Sequence, residues 1–131
     1  MNETKTSPAI LQGLIEREGN KGGMMYRGVL AEYRRHETMG HLCGYVKVPT
    51  SSPLYDCDED DPSIEPLHVH GGITYAGDLG TPGEWWIGFD CAHAGDLVPY
   101  GPIQYGTYRD VEFVLHELRN LIDQLYDREL V

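Results

Sequence analysis

The segment TYRDVEFVLHELRNLIDQL, residues 107–125, carries the strongest periodic signal in the chain. Thr107 and Asp110 at its start resemble a capping box, so Thr107 is the predicted N-cap of a helix. The apolar residues that follow recur at helical spacing: Val111, Val114, Leu115, Leu118, Leu121, Ile122 and Leu125. This stripe is wide enough to cover one face of a sheet, which predicts a long C-terminal helix packed on strands.

The rest of the chain favours β-structure, with one short helix before it. That helix is predicted to start at Ser7 as N-cap, with Pro8 in its first turn, and to stop at Gly19. Segments rich in aromatic and β-branched residues predict strands over 24–35, 41–48, 67–75 and 84–90. The first two are expected to form a hairpin and the last two to pair. The prediction is therefore an α+β fold with a mainly antiparallel sheet of four or more strands.

Composition limits the classes of function. A chain of 131 residues, 40% of them hydrophobic, is expected to form a single domain over residues 1–131. Its formal net charge of −11 argues against direct nucleic-acid binding, because phosphate contacts need a basic surface. Residues 49–66 are rich in proline, serine and acidic residues, and are expected to form a mobile surface loop.

Three further features bear on location. No run of about 18 apolar residues predicts a membrane span, and the N-terminus does not resemble a signal peptide. The three cysteines, Cys43, Cys57 and Cys91, form no C-x-x-C pair, which is typical of free thiols in a reducing cytoplasm. Cys91 is a poor candidate nucleophile, since the neighbouring aspartates raise the pKa of a thiol.

A candidate site follows the apolar run WWIGFD, residues 85–90. Asp90, His93 and Asp96 come at spacings of three, which a turn or short helical loop would converge on one point. Burying such groups without partners is costly, so near a core they are usually paired or functional. With His70, these residues are the candidates for acid–base catalysis, and with His70 and Thr74 they are candidates for ligand binding.

The stretch LHVHGGITY, residues 67–75, adds two histidines. On a strand His68 and His70 would share one face. With Asp90 and His93 they form a candidate metal-ligand set for Zn²⁺, Mn²⁺ or Mg²⁺, with an open position for a water of lowered pKa. The alternative interpretation is that His70 and Asp90 hydrogen-bond each other and brace loops.

Arg109 and Tyr105 complete the candidate ligand-binding residues. A cation near a helix N-terminus opposes the helix dipole, so Arg109 is expected to reach towards an anion or towards Asp96. Tyr105, with Tyr100 and Tyr108, either walls a pocket for a flat ring or packs against the protein.

The motifs HGGITY (70–75) and WWIGFDCAHAGD (85–96), followed by an amphipathic helix, resemble a family of small, largely uncharacterised proteins of phages, prophages and bacteria. The resemblance covers roughly residues 40–126. The residues that match its motifs are His70, Thr74, Asp90, His93 and Asp96, while His68 lies outside them. The resemblance implies an accessory protein in the cytoplasm of a bacterial host cell, and by analogy a role against host defences that use nucleotide signals.

Three functions remain open on this basis. The first is binding of a small polar ligand, such as a nucleotide signal, in a pocket lined by His and Asp. The second is a small hydrolase, metal-dependent or acid–base, that acts on such a ligand. The third is an acidic inhibitor that binds a host protein, and a purely structural role for the same cluster is the background alternative.

Overall fold

The computed structural model describes residues 8–131, so the predicted N-cap Ser7 lies outside the described residues. Its elements in chain order are α1 (Pro8–Glu18), β1 (Lys21–Tyr26), β2 (Val29–Arg35), β3 (Leu42–Val48), β4 (Tyr75–Gly77), β5 (Trp85–Asp90) and α2 (Val111–Asp127). Within residues 8–131, no helix is both long and apolar enough to cross a membrane.

The five strands form one antiparallel sheet in the order β1-β2-β3-β5-β4. Helix α2 covers one face, and its predicted stripe supplies buried residues to the main core: Val114, Leu118, Leu121, Ile122 and Leu125. The strands contribute Val46, Ile87 and Phe89 to this core, all at most 1% exposed. The predicted α+β fold, with a long C-terminal helix over the sheet and a short N-terminal helix, is confirmed.

The predicted single strand over 24–35 is wrong, because this segment belongs to a hairpin of β1 and β2. Arg27 and Gly28 form its turn, with φ of 52° and 80°. Two successive residues with positive φ are typical of the tight turns that match the twist of paired strands, and glycine accepts that conformation without steric cost. The start of β1 lies before the predicted strand and pairs with the end of β2 through Lys21 and Arg34.

The predicted strand over 67–75 is also wrong except at its end, where β4 begins. Residues 67–74 run as turns and irregular backbone along α2. The amide of His68 donates to Gln124 Oε1 and that of His70 to Glu117 Oε1, each at 2.8 Å. Helix side chains thus replace a strand partner for this backbone.

Residues 49–66 contribute to the core as well as to the surface. Leu54, Cys57 and Ile64 are all at most 8% exposed and belong to the main apolar cluster. The Ser52 hydroxyl donates to the carbonyl of Leu130 at 2.5 Å, which ties the segment to the end of the chain. The acidic residues lie between these anchors, and the mobility of the segment stays a prediction.

The N-cap of α2 is Asp110 rather than the predicted Thr107. The Asp110 carboxylate accepts from the amide of Phe113 at 2.9 Å. Thr107 instead forms a parallel bridge with Asp96, in which its amide donates to Gly95 O and its carbonyl accepts from Leu97 N, both at 2.8 Å. This bridge ties the loop after β5 to the start of α2.

Candidate functional site

The loop after β5 is organised by the two aspartates that the sequence singled out. Asp90 accepts from the amide of Ala92 at 3.1 Å, and Asp96 accepts from the amide of His93 at 3.0 Å. The amide of Asp96 donates back to the His93 carbonyl at 2.9 Å, so the turn is closed from both sides. Gly95 has φ of 91°, a conformation that L side chains rarely adopt.

Asp96 is the fixed centre of the site. Its side chain is fully buried, and its carboxylate lies 2.8 Å from both His70 Nε2 and Arg109 Nε. Burial raises the pKa of the Asp96 carboxyl, but hydrogen bonds from Arg109, His70 and the His93 amide outweigh it and hold that pKa below its usual range. Asp96 therefore stays ionised. Its contact with Arg109 is one of the two alternatives that the sequence predicted for this arginine.

His70 reaches Asp96 from the segment before β4. Its imidazole packs edge-on against Phe113, with ring centroids 5.1 Å apart. The sequence-based alternative that His70 pairs with Asp90 is not what the structure shows, because Asp96 takes that place. The buried carboxylate fixes the orientation of the imidazole ring, as expected of a carboxylate–histidine pair.

His93 forms a second, looser pair with Asp90. His93 Nε2 lies 3.1 Å from Asp90 Oδ1, but the direction is unsuitable for a hydrogen bond, and this buried nitrogen has no hydrogen-bond partner within residues 8–131. Asp90 also accepts from the Thr74 hydroxyl at 2.8 Å. A Cβ at Gly71 would overlap the His93 ring, so glycine is needed there for the ring to lie on the backbone.

Together, six of the predicted residues form one cluster, called here the Asp–His site: His70, Thr74, Asp90, His93, Asp96 and Arg109. The centroids of its two imidazoles are 6.0 Å apart and the rings are steeply inclined, at 75°. Neither Nδ1 atom hydrogen-bonds to any residue of 8–131, and the same is true of the two terminal nitrogens of Arg109. The cluster thus keeps polar atoms free for a ligand.

A pocket of about 420 Å³ adjoins this site and is called here the loop pocket. His93 and Asp96 form its polar edge, and Tyr105 and Ile103 stand at its rim, 62% and 73% exposed. The remaining lining is small or aliphatic: Met39, Ala94, Gly95, Val98, Gly101 and Pro102. Tyr105, predicted as a ligand-binding residue, therefore lies beside the cluster without touching its carboxylates.

The tentative metal set of His68, His70, Asp90 and His93 is not assembled as a metal site. Among residues 8–131, no three His, Cys, Asp or Glu side chains are grouped so as to hold a metal ion. The backbone of His68 is bonded to Gln124, seven residues along α2 from the partner of His70. The proposed facing of His68 and His70 depended on a strand that the chain does not form.

The cysteines are structural. Cys91 is 1% exposed, and burial, followed by the charge of Asp96, raises the pKa of its thiol. Burial also raises the pKa of the Cys43 thiol to about 11. Burial and the raised pKa disfavour a nucleophilic role for either thiol, as the sequence analysis predicted for Cys91.

A second polar network, which sequence reasoning missed, lies beside the site and is called here the brace. It consists of Glu18, Arg35 and Tyr108. The Tyr108 hydroxyl donates to Glu18 at 2.6 Å and accepts from Arg35 at 2.9 Å. Arg35 also donates to the carbonyls of Gly19 and Gly40, both at 2.9 Å. Tyr108 therefore packs within the protein rather than walling a pocket.

Comparisons with known proteins leave the interpretation to the geometry. No protein-family model, curated protein or solved structure matches this chain.

Proposed function

We propose that this protein binds a small polar ligand of the nucleotide class, with its polar groups on the Asp–His site and its ring in the loop pocket. The observation that carries the proposal is the set of unused polar atoms of the Asp–His site, in which His93 also lines the pocket. His70 and His93 are held by carboxylates, yet each keeps an Nδ1 atom without a protein partner in residues 8–131. Buried polar groups are normally satisfied, so the buried Nε2 of His93, which has no hydrogen-bond partner in residues 8–131, favours a ligand at the edge of the pocket.

The lining of the pocket supports a ligand with a flat ring. Met39, Val98 and Ile103 offer apolar surface, and Tyr105 offers an aromatic face at the rim. A nucleobase needs apolar or aromatic contact on its faces and hydrogen bonds on its edge, which the His93 end of the pocket supplies.

The charge of the site limits how a phosphate would bind. Asp90 and Asp96 carry two negative charges against the one positive charge of Arg109. A phosphate is therefore received only by the terminal nitrogens of Arg109 together with a protonated imidazole. This arrangement favours ligands with one or two phosphodiester charges over a triphosphate.

The test is a nucleotide panel screened by thermal unfolding, followed by calorimetric titration of each positive compound. The panel holds 2′,3′-cyclic AMP, 3′,5′-cyclic AMP, cyclic di-AMP and ATP. A ligand at about 100 times its Kd stabilises the fold by about 2.7 kcal/mol, which raises the Tm by several degrees. We expect a cyclic phosphodiester to do so and ATP not to.

Variants locate the binding. His93→Ala and Tyr105→Ala are expected to weaken binding at least tenfold, while His116→Ala, an exposed histidine on α2, leaves it unchanged. A Tm shift that survives His93→Ala, or no shift with any compound, would overturn the proposal.

Hydrolysis of the ligand is the second candidate function. The observation that favours it is the 2.8 Å contact between His70 and the buried Asp96 carboxylate, since a carboxylate-oriented imidazole is a common general base. Recovery of the titrated ligand separates the two functions, because a binder returns it unchanged and a hydrolase returns a product.

The biological role that we propose is that of a phage-type accessory protein, which lowers the concentration of a signalling nucleotide in the cytoplasm of a bacterial host. Support comes from the two motifs, whose residues form the site. The test is plaque formation on a host with a nucleotide-signalling defence, with and without this protein. Rescue by the wild type but not by His93→Ala is expected, and equal rescue by both would contradict the role.

A further inference from the structure

We propose that the Asp–His site cleaves a nucleotide phosphodiester by acid–base catalysis with two imidazoles, and that the reaction needs no metal ion. This inference rests on the proposed nucleotide site and gives the second candidate function, hydrolysis, a specific mechanism. Three features carry it: the paired imidazoles, the difference between their carboxylate partners, and the free terminal nitrogens of Arg109.

The two imidazoles lie close together, and each faces its own carboxylate. Each presents Nε2 to its own aspartate and leaves Nδ1 without a partner in residues 8–131. Their centroids lie 6.0 Å apart, a separation that a single phosphodiester group can bridge. A carboxylate behind each ring fixes its orientation.

The difference between the two pairs assigns the roles. His70 Nε2 lies 2.8 Å from Asp96 and is well aligned, so its proton stays on Nε2 and its Nδ1 is a free acceptor. His70 is therefore the general base. His93 Nε2 lies 3.1 Å from Asp90 without alignment, and this buried nitrogen gains a charged partner when the ring is protonated. His93 is therefore the general acid.

Water is assigned as the nucleophile, because the thiol and the hydroxyl beside the Asp–His site are not available. The Cys91 thiol is buried, and the Thr74 hydroxyl already donates to Asp90. In the step, the water oxygen forms a bond to phosphorus while His70 Nδ1 takes the proton of the water. The bond from phosphorus to the leaving ribose oxygen breaks, and His93 Nδ1 gives that oxygen its proton. The products are a phosphomonoester and a free hydroxyl.

Arg109 stabilises the charge that develops on the phosphoryl oxygens. Its Nε is held by Asp96 at 2.8 Å, and its guanidinium carbon lies 5.1 Å from the centre of the Phe113 ring. These two contacts fix the guanidinium while its terminal nitrogens remain available. Such preorganised donors act without reorganisation during the reaction.

The donor set explains why a metal ion is not required. Both oxygens of the fully buried Asp96 carboxylate already accept hydrogen bonds, from Arg109, His70 and the His93 amide. A metal would have to displace these donors. The two imidazoles and Arg109 cover the base, the acid and the positive charge that phosphodiester cleavage needs.

The experiment incubates the full chain with each cyclic phosphodiester of the panel in the presence of EDTA and follows the products by phosphorus NMR. We expect at least one compound that raises the Tm to be converted to its phosphomonoester. The rate should show a bell-shaped pH dependence, because one imidazole must be neutral and the other protonated.

Variants test the assignment of roles. His70→Ala and His93→Ala are each expected to lower kcat at least 100-fold, and each should abolish a different limb of the pH profile. His68→Ala and His116→Ala are the matched histidine controls and should leave both kcat and the profile unchanged. Asp90→Asn tests the positioning of His93 and should shift the limb that depends on the acid.

The outcomes separate this inference from the proposed function. Binding without conversion overturns the reaction and leaves ligand capture standing. Neither binding nor conversion overturns both. Conversion that EDTA abolishes and added Zn²⁺ or Mn²⁺ restores contradicts the two-imidazole mechanism.

Discussion

Tyr108 and Arg109 are neighbours in the chain, yet each enters a different polar network. Tyr108 joins Glu18 and Arg35 in the brace, while Arg109 joins Asp96 in the Asp–His site. Both networks contain a carboxylate that faces an arginine, fully buried in Asp96 and 10% exposed in Glu18. They differ in what is left over, and that difference separates a structural cluster from a functional one.

In the brace, every polar side-chain atom has a partner in the protein. The second oxygen of Glu18 accepts from the Val111 amide at 2.9 Å. The Arg35 guanidinium donates to the Tyr108 hydroxyl and to two backbone carbonyls. In the Asp–His site, by contrast, the carboxylates are satisfied but the imidazoles are not. A satisfied network fixes the fold, whereas an unsatisfied one at a pocket edge is ready for a ligand.

Removing Arg35 should produce the largest loss of stability, because it leaves Glu18 buried without its cation. Arg35→Met is expected to lower the free energy of unfolding by about 3–5 kcal/mol in a urea titration. The matched change Arg34→Met breaks a more exposed pair with Glu32 and should cost about 0–1 kcal/mol. Similar losses for the two variants would show that the brace stabilises the fold no more than an exposed ion pair does.

Gly71 and Gly72 allow a sharper test on the side of the Asp–His site. Both have positive φ, but only a Cβ at Gly71 would overlap the His93 ring. Gly72→Ala should cost about 1–2 kcal/mol of backbone strain. Gly71→Ala should cost about 1 kcal/mol more, since the ring is forced out of its rotamer, and it alone should abolish the ligand-induced Tm shift. Loss of that shift in both variants would mean that backbone strain, not the position of His93, governs binding.

His41 should give the smallest effect, and it depends on pH. His41 follows Gly40, whose carbonyl accepts a hydrogen bond from Arg35 of the brace. The Nδ1 of His41 is buried and has no hydrogen-bond partner in residues 8–131. Burial, and then the nearby His36, lower the pKa of His41 from its ordinary 6.5. The unfolded chain therefore binds a proton that the folded chain does not. Stability is complete above pH 6.5 and falls by at most about 1.4 kcal/mol per pH unit below it.

The measurement for His41 is thermal unfolding between pH 7 and pH 5, with His41→Phe as the comparison. The lowered pKa of Asp96 does not interfere, because its contribution is lost only as the pH falls below the ordinary Asp value of 3.8. The wild type should lose stability across this window and the variant should lose less. Parallel curves would contradict a neutral, buried His41.

The sequence predicted the parts of the fold that depend on local pattern. The helical stripe of α2 and the apolar strand β5 were predictable because their periodicity is strong and their faces are buried. The split of β1 from β2 at Arg27 was not, since the turn signal lay within a continuous strand-like pattern. The segment over 67–74 has strand composition, but the side chains of Glu117 and Gln124 capture its amides, a tertiary effect that composition does not show.

The candidate site was predictable in membership but not in pairing. Spacing of three from the end of β5 correctly predicted that Asp90, His93 and Asp96 lie in one cluster. That His70 pairs with Asp96 rather than Asp90 depends on the bridge between Asp96 and Thr107, which joins distant parts of the chain. The brace was missed because Glu18, Arg35 and Tyr108 carry no local motif.

The most direct test of the account observes the imidazole nitrogens themselves. Long-range ¹⁵N–¹H NMR spectra of the full chain would be recorded with and without the cyclic phosphodiester that gives the largest Tm shift. The account predicts that the Nδ1 signals of His70 and His93 move on binding, while those of His68 and His116 do not. A bound ligand that leaves the signals of His70 and His93 unchanged would contradict it.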